Sequence, residues 1–184
     1  AADYHTGIYG KWHLGDNYPM RPMDQGFEDS LIHRGGGIGQ PSDPIGAEGK
    51  YTDPTLLKNG IETPMKGYCT DIYFDGAMDF IESTVKRKEN FFTYIATNAP
   101  HGPYHDVPEK LYQEYLKVDF RPILINKKIS SARLKSETDK LARICAMITN
   151  IDENVGRLFK QLHQLGIREN TIVIYLNDNG PNSM

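Results

Sequence analysis

The sequence predicts an α/β fold with a mostly parallel sheet flanked by helices. Two apolar runs of strand length, at 91–96 and 171–177, stand on either side of a long stretch with helical periodicity. Strand, helical crossover and strand make a β-α-β unit, whose strands run parallel through a right-handed connection. Each run is followed at once by a polar motif containing Gly and Pro, at the sheet edge where α/β proteins bind ligands.

From the N-terminus, Thr6 to Gly15 reads as a short extended start running into a loop that bears Lys11 and His13. Residues 19–64 are rich in Gly and Pro without sustained periodicity, and read as ordered loops packed through Phe27, Leu31, Ile32 and Ile38. Within them, Gly35 to Gly39 lacks the Lys-Ser/Thr ending of a phosphate loop and reads as a flexible turn. Thr70 to Lys88 is predicted helical, with Tyr73, Ala77, Phe80, Ile81 and Thr84 on one face. Asp71 in its first turn and Lys86, Arg87 and Lys88 at its end suit the helix dipole. The aromatic and β-branched run Phe91 to Ala96 is predicted to be a buried strand.

Ser136 to Leu165 shows the clearest pattern. Leu141, Ile144, Ile148, Ile151, Val155, Leu158, Leu162 and Leu165 recur at spacings of three and four, which predicts one apolar stripe. Ser136 with Asp139 resembles a capping box, and Gly166 is placed to end the helix. Thr171 to Asn177 is then expected to be a strand covered on both faces.

With 184 residues the chain suits one compact domain. Its 39% hydrophobic and 24% charged residues are those of a folding sequence, not a disordered one. A net charge of -3 offers no attraction to nucleic acid or an anionic membrane. No apolar run is long enough to cross a bilayer, and no leader peptide is visible. Cys69 and Cys145 form neither a disulfide framework nor a metal knuckle and read as buried small residues.

The chemistry gathers after the predicted strands. Asn98 to Pro103 (N-A-P-H-G-P) follows the first run and Asp178 to Pro181 (D-N-G-P) the second. Lys11 and His13 lie in K-W-H-L-G near the N-terminus. A lysine, two histidines, a carboxylate and a carboxamide suit hydrolysis of an anionic ester: a cation binds the anion, a proton donor serves the leaving group, and oxygen ligands hold a hard metal. Lys11, His13, His101 and Asp178 are therefore expected to face one cleft. The remaining histidines, His5, His33, His105 and His163, read as ordinary structural or surface residues.

Together T-G-I-Y-G-K-W-H-L-G, N-A-P-H-G-P followed by V-P-E-K, and T-I-V-I-Y-L-N-D-N-G-P resemble successive blocks of the sulfatases. The likeness is closest to bacterial arylsulfatase-like enzymes of the alkaline-phosphatase-like superfamily. The resemblance runs from Thr6 to Pro181. It implies that Lys11 contacts the sulfate oxygens, that His13 bonds the nucleophile, and that His101 contacts sulfate and assists the leaving group. It also implies that Asp178 and Asn179 bind Ca²⁺, with Mg²⁺ as second choice. Both donors are hard oxygens, as either metal requires. The implied substrate is an aryl sulfate or sulfated carbohydrate, and the implied location periplasmic or secreted.

Sulfatases attack with a formylglycine made from Cys or Ser in C/S-x-P-x-R. Neither Cys69, Cys145 nor Ser42 stands in that pattern, since Ser42 has Pro44 but Gly46 where the Arg belongs. The sequence is thus expected to be an internal piece, a partial catalytic domain over 1–184 with an incomplete sheet. The formylglycine and paired metal-binding aspartates would lie upstream, and the chain alone would be inactive. A phosphodiesterase or phosphonate hydrolase of the same superfamily, and a non-catalytic module binding sulfated glycans, are the rival readings.

Overall fold

A computed structural model describes residues 3–44, 49–124 and 130–180. Its centre is a five-stranded sheet in the order β4-β3-β2-β1-β5. The strands are β1 (Tyr4–Lys11), β2 (Asp29–His33), β3 (Thr55–Lys58), β4 (Ile61–Pro64) and β5 (Asn90–Ala96). β1 pairs in parallel with both β2 and β5, whereas β2, β3 and β4 form an antiparallel meander. The sheet is therefore mixed, and the expectation of a mostly parallel one is corrected.

The correction comes from the Gly- and Pro-rich stretch read as loops, which holds three strands. One local signal for them was present: Asn59-Gly60 separates two runs with β-propensity. Both residues take positive φ, +51° and +82°, the conformation of a tight hairpin turn. β2 escaped detection because D-S-L-I-H is short and shows no alternation. Four of its five residues are buried, between neighbours on both sides.

Helix α1 (Cys69–Lys86) lies on one face of the sheet. There Tyr73, Ala77 and Ile72 pack with Tyr9 of β1, Leu31 of β2 and Leu56 of β3. Helix α3 (Ser131–Gln164) covers α1 from outside, while the short α2 (Glu109–Tyr115) packs against α3. On the opposite face Ile8, Ile32 and Leu57 pack with Trp12 and Phe27 from the β1–β2 connection. Phe92 and Tyr94 of β5 project there and stay 53% and 52% exposed, so β5 is an edge strand with one wet face, not the buried strand expected.

α3 begins earlier than its pattern suggested. Ser130 caps it by accepting the Arg133 N–H, and the Ser136–Asp139 pair lies inside the helix. Its end follows expectation: Gly166 takes φ +70°, and the N–H groups of Gly166 and Ile167 return to the carbonyls of His163 and Leu162. Its buried face is partly polar. Ile148 is exposed, while Asn150 and Asn154 are buried, both donating to one carboxylate oxygen of Asp71 on α1 at 2.8 and 2.6 Å. Apolar counting could not see that seam, because carboxamides and carboxylates enter a core only when they pair.

The largest departure is at 171–177. These residues join no sheet, and Ile172, Ile174 and Leu176 are 89%, 73% and 81% exposed. An apolar run states a need for cover but supplies neither cover nor hydrogen-bonding partner. The sheet ends at β5, whose outer edge pairs with no strand among the described residues. The predicted β-α-β unit through α3 is therefore not formed.

Candidate active site

Because β1, β2 and β5 are mutually parallel, their carboxyl ends lie together, and the chemistry collects there. Lys11 closes β1 in register with His33, which closes β2. The ladder continues past the strand: Trp12 N–H donates to the His33 carbonyl at 3.0 Å, and His13 N–H to that of Arg34 at 2.9 Å. Trp12 anchors the following loop, its indole N–H donating to the carbonyls of Gly15 and Met20 and its ring packing edge-on against Phe27. Between strand and anchor, His13 is held at φ +51° with its side chain in solvent. A non-glycine residue in that region carries local strain, which clusters at functional sites.

The loop after β2 is ordered, not the flexible turn expected of Gly35–Gly39. Asp43 accepts the N–H groups of Arg34 and Gly39, Gln40 accepts that of Gly36, and the Arg34 guanidinium donates to the Ser42 carbonyl. Gly36 lies against His13: a Cβ there would sit 3.2 Å from the imidazole Cε1, so a larger residue would crowd the ring.

The loop after β5 starts at buried Asn98, whose carbonyl accepts the His101 N–H at 2.8 Å. The side chain of His101 is exposed, and its Nδ1 bonds the Gly102 carbonyl. A carbonyl only accepts, so Nδ1 carries the proton and Nε2 is left to take or give one. Asp106 braces this loop, accepting from the backbone N–H groups of Tyr51 and Thr52 and the Thr52 hydroxyl at 2.7–2.8 Å.

His33 ties these parts together. It is 1% exposed, and its Nδ1 lies 2.7 Å from the Tyr73 hydroxyl of α1. Burial, followed by the electrostatic influence of Lys11, His13 and His101, lowers its pKa to about 3. Those three groups are thus close enough to act on one buried ring, and none has an ion-pair partner among the described residues. By contrast, a groove at the amino ends of the strands has its cations satisfied, Lys58 by Asp29 and Arg87 by Glu89. His33 carries no local mark in the sequence; its place at the end of D-S-L-I-H, at the same edge as Lys11, becomes visible only once β2 is recognised.

Asp178 and Asn179 lie in an exposed bend after the unpaired 171–177 run, where the Asn179 amide donates to the Gly180 carbonyl. No hydrogen bond or ion pair joins them to Lys11, His13 or His101 among the described residues. Those residues also hold no group of three or more His, Cys, Asp or Glu side chains able to bind a metal. Cys69 is buried, burial pushes its thiol pKa up, and its sulfur bonds Asn98, as suits a packed residue and not a nucleophile.

The profile of the sulfatase family matches residues 1–184. The chain belongs to the sulfatase family. It is 28% identical to an arylsulfatase of Klebsiella aerogenes, covering 98% of this chain and 46% of that protein. It is 27% identical to N-acetylgalactosamine-6-sulfatase of Rattus norvegicus, covering 97% of this chain and 31% of the relative. Among solved structures, Ps i-CgsB in complex with k-i-k-neocarrahexaose superimposes with a TM-score of 0.67 at 23% identity, over 89% of this chain and 35% of the other. That likeness supports the α/β fold. The chain spans less than half the length of these relatives. No helix among its described residues is long and apolar enough to cross a membrane.

Proposed function

We propose that the protein carrying these residues hydrolyses a sulfate ester, R-O-SO₃⁻ plus water giving alcohol and sulfate. The supporting observation is the gathering of Lys11, His13 and His101, without carboxylate partners, where three parallel strands end. A site rich in cations and donors and poor in acceptors suits a ligand that only accepts. Lys11 would offset the charge on the sulfuryl oxygens. His101, with Nε2 free, would give the leaving oxygen its proton, and His13 would hydrogen-bond the attacking group and later assist release of sulfate. Formylglycine, expected outside these residues, would supply the attacking hydroxyl. Asp178 and Asn179 fit a hard cation in donor type but not in number, and would supply two of the ligands of a Ca²⁺ that neutralises the ester. The substrate class is an aryl sulfate or sulfated carbohydrate.

The test compares aryl sulfate and phosphate diester hydrolysis by a protein carrying this chain behind an intact C/S-x-P-x-R segment. The sulfate should be preferred, and His101→Ala should lower kcat by about 10²- to 10⁴-fold. Preference for the phosphate diester would overturn the reading, as would full activity in both Lys11→Ala and His101→Ala. The 184-residue chain alone should release no phenol.

A further inference from the structure

We propose that His33 is a neutral hydrogen-bond donor to the bound sulfate group, its Nε2–H adding to the donors of Lys11 and His101, with Tyr73 fixing its tautomer. This rests on the reading of the site as a sulfate site, and extends it to a residue on β2.

The tautomer follows from counting partners. His33 Nδ1 is the hydrogen-bond partner of the buried Tyr73 hydroxyl, and Nε2 is buried with no partner among the described residues. Burial holds the Tyr73 pKa well above its ordinary value, so its proton stays and needs an acceptor. If Nδ1 carried the imidazole proton, the tyrosine proton would have no acceptor and Nε2 no donor. If Tyr73 donates to Nδ1, only one group is unmet, the N–H at Nε2. The second arrangement is favoured because each unmatched buried polar group is destabilising.

The remaining donor belongs to a residue that is the register partner of Lys11 on the neighbouring parallel strand, and it has no acceptor among the described residues. The charges acting on His33 are those of Lys11, His13 and His101, which are cations or donors. The missing acceptor therefore comes from a ligand, and an acceptor-only tetrahedral anion matches a site composed of donors. His33 meets this need without adding charge: burial and the neighbouring cations keep it neutral, so it neither repels Lys11 nor competes for protons with His101.

The experiment uses the chain labelled with ¹⁵N-histidine, titrated with inorganic sulfate at neutral pH. Long-range proton–nitrogen correlation should place the His33 proton on Nε2, and sulfate should shift that signal saturably. His33→Leu should weaken sulfate binding by about tenfold, the loss of one charge-assisted hydrogen bond. His33→Gln, which keeps an N–H near the same place, should stay within about threefold of wild type. A proton on Nδ1 overturns the proposal. So does a Nε2 signal that saturating sulfate leaves unmoved while Lys11→Ala abolishes binding, and that result leaves the sulfate site standing. Absence of saturable binding, or binding unchanged in Lys11→Ala, refutes the sulfate site itself. If His33→Leu fails to fold, the wild-type spectra decide.

Discussion

The loop after β5 and the segment after 171–177 look alike in sequence: an apolar run of strand length, then a polar motif with an Asn, a Gly and a Pro. In the structure they differ. β5 is paired along its length to β1 and its inner residues pack on the helices, so Asn98 and His101 leave a fixed point and are braced again by Asp106. Residues 171–177 have comparable apolarity and no ladder, and Asp178 and Asn179 share their exposure. A catalytic motif acquires geometry from the backbone pairing beneath it, and hydrophobicity alone does not provide that.

The contrast makes measurable predictions. The anchored region should carry the largest, through His33. Its folded-state pKa, lowered to about 3 from 6.5, means that the unfolded chain binds the proton first. The stability due to a neutral His33 is complete above about pH 6.5 and declines as pH falls toward 3, by on the order of 4 kcal/mol across the window. Urea denaturation from pH 7 to 4 should show this decline, and His33→Leu should flatten it; an equally steep decline in that variant would assign it to other groups. Next come the two apolar runs. Ile95→Ala, on β5 between two core clusters, should cost about 2 kcal/mol, whereas Ile174→Ala should change stability by less than about 0.5 kcal/mol. Equal costs would mean that 171–177 is packed in solution. The smallest effect concerns calcium. With one carboxylate and one carboxamide on an exposed bend, the chain should bind Ca²⁺ only on the order of millimolar by calorimetry. Micromolar binding lost in Asp178→Ala would show that other carboxylates complete the site.

Helical periodicity and dipole-matched ends made α1 and the body of α3 legible, since those signals are local. Lys11, His13 and His101 were legible as candidates because unusual residue types stood in a family pattern, and β1 and β5 bring them to one edge. His33 was not legible. Its importance depends on pairing with β1 across the sheet and on Tyr73, forty residues away in the chain, and neither contact leaves a local mark. β3 and β4 were missed despite Asn59-Gly60, because Gly and Pro nearby outweighed two four-residue runs. At 171–177 the error ran the other way, since the sequence shows that the run is apolar but not what it pairs with.

The seam between α1 and α3 acts as a ratchet pin. Asp71 receives both Asn150 and Asn154, one turn apart, and Arg157 one further turn along reaches Asp75. Apolar surfaces tolerate sliding, because one greasy contact replaces another. Two carboxamides aimed at a single oxygen do not, since a displacement by one turn would leave one of them buried and unpaired. α3 is thereby held in one axial position on α1, whose last turn leads directly into β5 and the His101 loop. A polar contact far from the chemistry thus acts as an alignment mark for the strand that delivers it.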